Sequence, residues 1–188
     1  MLNGPLEPTN ESYAVAKIAG IKLCQAYHQQ YGVNFICAIP ANAYGPGDDF
    51  SREDSHVIPA LICRMHEAKK KSEEFIEIWG TGNPKREFIF ADDLADACLF
   101  VMENYHNQDL INLGCGTALS IKELAMMIKE VVGYEGQLRF DPSKPDGMPI
   151  KVLDSNKLIG MGWRPVHDFK SSLEKTYRWF LENENGNP

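Results

Sequence analysis

The stretch Asn10–Cys24, NESYAVAKIAGIKLC, places Tyr13 and Lys17 one helical turn apart. Val15, Ile18, Ala19, Leu23 and Ala26 recur at helical spacing and Gly32 supplies a stop, so a helix is expected over 11–31. Residues i and i+4 share a helix face, which sets a phenol beside an ammonium. Chance produces such a pair in many chains. The other reading is a proton-donating pair, whose remaining partners would lie ahead of Asn10, where this sequence offers none.

Outward from that helix, strands and helices alternate. VNFICAIPA (33–41) is β-rich and ends in a loop, and NAYGPGDDFSREDSH (42–56) is a long polar loop of the kind that carries function. VIPALICRMHEAKK returns to helical periodicity, with Pro59 in its first turn. EFIEIWG and EFIFA read as strands around the turn TGNPKR. DDLADACLFVMEN reads as a helix capped by Asp92 or Asp93, and LINLGCG as a further strand. Ser120 and Glu123 form a capping box ahead of LAMMIKEVVG, and a last helix runs from about Asp168 to Glu182. There is no repeat and no low-complexity segment. The alternation makes this an α/β protein.

With 188 residues and 44% hydrophobic content the chain can bury a good core, and one domain is the default. A net charge of −7 with dispersed acids argues against nucleic acid as a partner. No apolar run approaches the roughly 20 residues of a membrane span, and MLNGPLEPTN lacks the basic and apolar regions of a signal peptide. Five cysteines at irregular spacings, with no C-x-x-C pair, suit reduced and mostly buried thiols in a cytoplasmic protein. No metal is expected.

One element of a nucleotide-binding α/β unit is not found. Such a unit opens with a strand and a Gly-rich turn entering a helix. No G-x-G-x-x-G occurs, and GTGNP and GCGTALS, the nearest approaches, read as ordinary turns.

Five segments in order carry a resemblance: YAVAKIAGIKLC from Tyr13, IPANAYGP from Ile39, SHVIPALI from Ser55, WGTGNPKREF from Trp79 and KPDG from Lys144. Together they resemble the C-terminal part of the GDP-L-fucose synthase family, extended short-chain dehydrogenases/reductases acting on GDP-4-keto-6-deoxy-D-mannose. The resemblance runs from Gly4 to the last helix, over roughly the latter 60% of such an enzyme. It implies the C-terminal part of a Rossmann-like fold with a smaller α/β substrate-binding domain, without the Gly-rich dinucleotide-binding half. Residues 1–45 would hold the remaining Rossmann-like elements. Residues 46–188 would be mainly the nucleotide-sugar domain, with 87–115 returning to the Rossmann-like sheet.

The implied activity is NADP(H)-dependent 3,5-epimerisation and 4-reduction of the GDP-sugar, and the chain by itself is expected to be inactive. C–H bonds beside a ketone are acidic because the carbonyl stabilises the carbanion, so an acid and a base on opposite faces can invert C3 and C5. Reduction at C4 then needs a proton donor at O4. A free tyrosine has a pKa near 10, and a cation one turn away favours the phenolate. The resemblance accordingly makes Tyr13 the acid at O4 and Lys17 its tuning cation, which also reaches the nicotinamide ribose. His56 matches the family's epimerisation acid, since an imidazole exchanges protons near neutrality, and it also contacts the cofactor. The turn Pro40, Ala41, Asn42, Ala43 matches the nicotinamide contact. His28, His66, His106 and His167 read instead as loop histidines bonded to backbone.

For the substrate, Arg64 and Arg86 match diphosphate ligands, Trp79 a flat packing surface and Asp146 a hydrogen-bond acceptor. Each has a plainer reading, Trp79 as core at a strand end and Arg64 as a solvated helix residue. A homodimer is expected by resemblance alone. Two alternatives stay open: another 4-keto nucleotide-sugar epimerase or reductase, which SHVIPAL disfavours, and a non-catalytic nucleotide-sugar-binding or dimerisation module.

Overall fold

The computed structural model describes residues 4–6, 8–51 and 55–183. Residues 52–54 of the long polar loop, and part of the segment read for a signal peptide, lie outside the described residues.

Helix α1 (Glu11–Tyr31) ends as its sequence requires: Gly32 takes the left-handed conformation (φ 69°) and its N–H donates to the His28 carbonyl. Its periodic apolar residues are not all inside, however. Only Ile21 is buried, while Val15, Leu23, Tyr27 and Tyr31 are exposed.

Strands β1 (Ala38–Pro40) and β2 (Asn42–Tyr44) follow. The second was hidden in what reads as loop, because Asn, Pro and Gly surround it. Helix α2 (Val57–Lys70) has Pro59 in its first turn, as expected. Next come β3 (Phe75–Trp79), β4 (Lys85–Arg86), β5 (Phe88–Phe90) and α3 (Ala91–Asn104). Phe90, not an aspartate, occupies the cap of α3, and Asp92 and Asp93 fall inside the first turn. Asp93 is buried there, accepting from the Val166 N–H (3.1 Å) and bonded to His167 Nδ1 (2.8 Å).

Strand β6 (Ile111–Leu113) leads to β7 (Leu119–Ser120) and α4 (Ile121–Val132), whose Ser120–Glu123 capping box is fully formed. Such a cap contributes about 0.5–2 kcal/mol. The sequence reading passed over β8 (Gln137–Asp141), β9 (Ile150–Lys151) and α5 (Asn156–Gly160); α6 (Phe169–Asn183) closes the described chain.

The core strand pairs are parallel: β1 with β6, β2 with β5, and β3 with β8. Parallel neighbours need long crossovers, and the helices supply them. A smaller sheet in the order β7-β4-β9 joins β4 to β7 antiparallel and to β9 parallel.

Strand β5 explains how two cores coexist. Its side chains alternate: Phe88 and Phe90 enter the core built on α2, α4, α6, β3 and β8, while Ile89 enters the one holding Ala97, Val101, Ile111, Leu113 and Trp163. Ile89 is completely buried, which stabilises by about 1.5–3 kcal/mol relative to exposure.

None of the five cysteines forms a disulfide; only Cys63 is buried and the rest are half-buried, so burial is less than expected. Burial raises the Cys37 thiol pKa, helped by a hydrogen bond with neighbouring Cys24. His28 does bond a backbone carbonyl, that of Val33 (3.0 Å). His66 instead lies buried on α2 against the Tyr177 hydroxyl (2.9 Å), and His167 pairs with the Asp93 carboxylate. No helix among the described residues is long and apolar enough to cross a membrane.

Candidate active site

Seven residues singled out from widely separated parts of the sequence line one cleft of about 390 Å³: Asn42, Ala43, His56, Arg64, Trp79, Arg86 and Asp146. Its floor is apolar, with Tyr44, Ile58, Ile78 and Phe88 presented by β2, α2, β3 and β5. Tyr13 and Lys17 do not line it. They stand on the exposed face of α1, with Lys17 Nζ 5.3 Å from the Tyr13 ring centroid.

His56 is the residue ahead of α2, extended at φ −65° and ψ 164°, and its ring makes no cap bond. The ring is exposed to the cleft and makes no hydrogen bond among the described residues, so both ring nitrogens are open to a bound molecule.

The turn 40–43 is locked by its backbone. Ala41 N–H donates to Leu113 O (2.9 Å) and Asn42 N–H to Glu87 O (3.3 Å). Asn42 Nδ2 donates to the same Glu87 carbonyl at 2.7 Å, and Asn42 Oδ1 faces Lys151 Nζ at 3.4 Å. Asn42 thus ties β2 to β5 and to β9, spending side-chain capacity inside the protein.

Two guanidinium groups and an ammonium converge on the cleft. Arg86 Nη1 donates to the Lys85 carbonyl at 2.8 Å and has no carboxylate partner among the described residues. Arg64 donates to the Glu77 carbonyl, which holds its exposed side chain against the middle of β3. Lys151, on β9, is the third cation, and the sequence reading missed it because two strand residues after a Pro-rich loop carry no periodicity. A guanidinium with free N–H donors in a partly dehydrated cleft is suited to phosphate oxygens. A second cavity, about 420 Å³, lies on the other side of Arg64, but Glu67, Glu73 and Glu77 line it and would repel a diphosphate.

Trp79 is 65% exposed, which overturns its reading as core; Lys144 Nζ lies 5.6 Å from its ring centroid. Asp146 already accepts from Thr81, at 2.6 Å from the N–H and 2.8 Å from the hydroxyl.

Glu87 also escaped the sequence reading. Its carboxylate is fully buried and accepts from Gly116 N–H and Leu153 N–H, each at 2.8 Å. A side chain at Gly114 would place a Cβ 2.4 Å from Glu87 Oε1, so the Gly-Cys-Gly turn is shaped around this internal carboxylate. Glu87 thereby fastens the loops after β6 and β9 behind the strand that carries Arg86. Burial pushes the Cys115 thiol in that turn up to about 11, with the Asp93 and Glu87 carboxylates adding to it. Burial likewise raises Tyr44 above its ordinary value, partly opposed by its hydrogen bond with Ser172.

An α/β fold with parallel strand pairs thus carries a cleft that combines an imidazole with cations, an exposed indole and a carboxylate, groups suited to a polar, anionic ligand. The profile of the NAD dependent epimerase/dehydratase family matches residues 1–114, and the chain belongs to that family. It is 52% identical over 183 residues to GDP-L-fucose synthase 1 of Arabidopsis thaliana, covering 97% of this chain and 57% of that protein. It is 48% identical over 193 residues to GDP-L-fucose synthase of Escherichia coli K12, covering 98% of this chain and 60% of that protein. A crystal structure of a GDP-L-fucose synthetase from Naegleria fowleri bound to NADP superposes with a TM-score of 0.90 at 30% identity, over 98% of this chain and 60% of that one. The chain therefore spans less than two thirds of these relatives' length.

Proposed function

We propose that this chain supplies the substrate-binding and proton-transferring part of an NADPH-dependent GDP-L-fucose synthase. The observation that carries the reading is the convergence of His56, Arg64, Trp79, Arg86 and Asp146 on a single cleft. Its support from relatives is the pair of GDP-L-fucose synthases matched at about half identity.

In this reading Arg64, Arg86 and Lys151 hold the diphosphate of GDP-4-keto-6-deoxy-D-mannose, and Trp79 packs on the guanine or sugar. His56 gives and takes protons at C3 and C5, and Tyr13 protonates O4. Lys17 lowers the cost of the tyrosinate and reaches the cofactor ribose. Bound NADPH supplies the hydride to C4. The residues present suit its nicotinamide end: Lys17 makes no ion pair among the described residues, and Pro40–Ala43, which runs from the end of β1 into β2, is held by the backbone bonds of Ala41 and Asn42.

Residues 1–45 belong in this reading with the cofactor half and 46–188 mainly with the nucleotide-sugar half. The pairing of Ala38–Pro40 with Ile111–Leu113 supports the return of 87–115 to the Rossmann-like sheet. A homodimer through α1 is part of the same proposal, supported by the exposed Val15 and Leu23 on that helix.

Titration calorimetry with GDP tests the cleft directly. Losing a guanidinium fork on a diphosphate removes about 1.5–3 kcal/mol. Arg86→Ala should weaken GDP about tenfold or more, and an unchanged affinity would return Arg86 to the solvated surface.

A further inference from the structure

The Gly-Thr-Gly turn at 80–82 has no part in the reading above, yet it is built to hold something. Strands β3 and β8 run parallel and end level, Trp79 opposite Asp141, so the loops that follow them leave the sheet side by side. One loop carries Thr81 and continues from Trp79; the other carries Lys144 and Asp146. Gly80 N–H donates to Asp141 O at 2.9 Å, and Lys144 lies over the Trp79 ring. The third tie is two-pronged, with Thr81 N–H on Asp146 Oδ1 (2.6 Å) and Thr81 Oγ1 on Asp146 Oδ2 (2.8 Å).

The turn's first glycine serves that contact. Gly80 is left-handed at φ 82°, and a Cβ there would meet Asp146 Oδ1 at 2.3 Å. The hydroxyl of Thr81 also accepts from Asn83 N–H at 3.2 Å, which orients its own proton toward Asp146. What reads in sequence as a weak phosphate cradle thus grips the protein's own carboxylate.

We infer that Thr81 is a positioning residue for the nucleoside diphosphate: with Asp146 it forms a latch that holds the two loops, and with them Trp79 and the Asp146 carboxylate, in the shape the ligand meets. This rests on the nucleotide reading of the cleft. The loop after β3 is anchored a second time, by Lys122 N–H on Gly82 O (2.9 Å) and Ile121 N–H on Pro84 O (3.0 Å), whereas residues 142–149 of the loop after β8 are all exposed. Untied from Thr81, that exposed loop would have to be ordered when the ligand arrives, and binding would carry that entropy. Tied beforehand, they leave the affinity to Trp79 and the cations. The carboxylate's remaining lone pairs still point outward for a ligand donor.

The test is calorimetry with GDP on the whole 188-residue chain, with thermal unfolding measured on every variant. Thr81→Val keeps the shape and the N–H but deletes the hydroxyl, and should weaken GDP by about three- to tenfold. Thr81→Ser restores the donor and should come within about twofold of the parent, since only a methyl is lost. Gly80→Ala disturbs the latch from the other side and should match Thr81→Val. The two Thr81 variants should unfold within a few degrees of the parent, because Thr81 is exposed, and Gly80→Ala lower, because an alanine is strained at φ 82°. If Thr81→Val binds like the parent while Arg86→Ala binds poorly, the latch is wrong and the cleft stands. If Thr81→Ser loses as much as Thr81→Val, the hydroxyl is not what matters and the latch is overturned. If neither Arg86→Ala nor Thr81→Val changes GDP binding, or the parent does not bind GDP, the nucleotide reading falls and takes this inference with it.

Discussion

Lys17 Nζ stands 5.3 Å from the centroid of the Tyr13 ring, on the exposed face of α1 and outside the cleft that collects His56, Arg64, Trp79, Arg86 and Asp146, which Pro40 and Ala41 do not line either. Proximity of the cation to the phenol is what proton donation by Tyr13 needs. In the catalytically complete enzyme, Tyr13→Phe keeps the ring and removes the proton. NADPH oxidation should drop by about 10²–10⁴-fold, the usual worth of general acid catalysis, while GDP affinity stays put. Near-parental turnover in Tyr13→Phe would end the assignment.

His56 should separate from Tyr13 in a different assay. Its ring is open to the cleft and not engaged in capping α2. His56→Gln should slow incorporation of solvent deuterium at C3 and C5 of the keto sugar, because those carbons need the acid that imidazole provides. Mass spectrometry of the recovered sugar reads it out, and an unaltered exchange rate would leave His56 as a structural or cofactor contact.

The elements readable in the sequence are those whose punctuation is local. Gly32 stops α1 in a left-handed turn, and Ser120 with Glu123 starts α4 through bonds within one turn of helix. The strand QLRFD at 137–141 was unreadable because half its residues are polar and exposed; its stability comes from pairing with β3, more than fifty residues away in sequence. The exposure of Val15 and Leu23 was equally invisible, since helical periodicity says which face is apolar and not what covers it. For the site, the ordered motifs singled out His56, Arg64, Trp79, Arg86 and Asp146, and the fold brings all five to one cleft. Lys151 and Glu87 were missed because neither belongs to a local pattern: one sits on a two-residue strand, and the other draws its partners from loops 29 and 66 residues distant.

Cys115 gives a pH dependence with a definite sign. Folding raises its thiol pKa from the ordinary 9.0 to about 11, because burial disfavours the thiolate. The folded chain then holds a proton that the unfolded chain releases first. This contribution to stability is complete below pH 9, falls away between about pH 9 and 11, and is absent above. Urea midpoints at pH 7.5 and pH 10.5 for parent and Cys115→Ala should show the parent losing more over that interval. Equal losses would mean that the thiol is solvated and titrates normally.

The final expectation concerns which ligand this chain grips by itself. Dinucleotides are held chiefly through the pyrophosphate, by backbone N–H groups at a helix N-terminus that glycines let approach closely. No G-x-G-x-x-G occurs in the 188 residues. Of the four Gly-x-Gly triplets, the two nearest to such a turn are already filled from within: Gly116 N–H binds the Glu87 carboxylate, and the 80–82 turn binds Asp146. In the proposed reading these residues offer NADPH Lys17, the Pro40–Ala43 segment and His56, all toward the nicotinamide end. GDP is better served, because Arg64, Arg86, Lys151, Trp79 and Asp146 all line one cleft. Isolated chain should therefore bind GDP measurably, bind NADPH very weakly and show no turnover. Fluorescence titration with NADPH, calorimetry with GDP and an NADPH-oxidation assay on one preparation decide it. Tight NADPH binding or steady turnover would mean that the cofactor's phosphates are held by groups other than a Gly-rich turn, and the assignment of the cations to the GDP diphosphate would have to be revised.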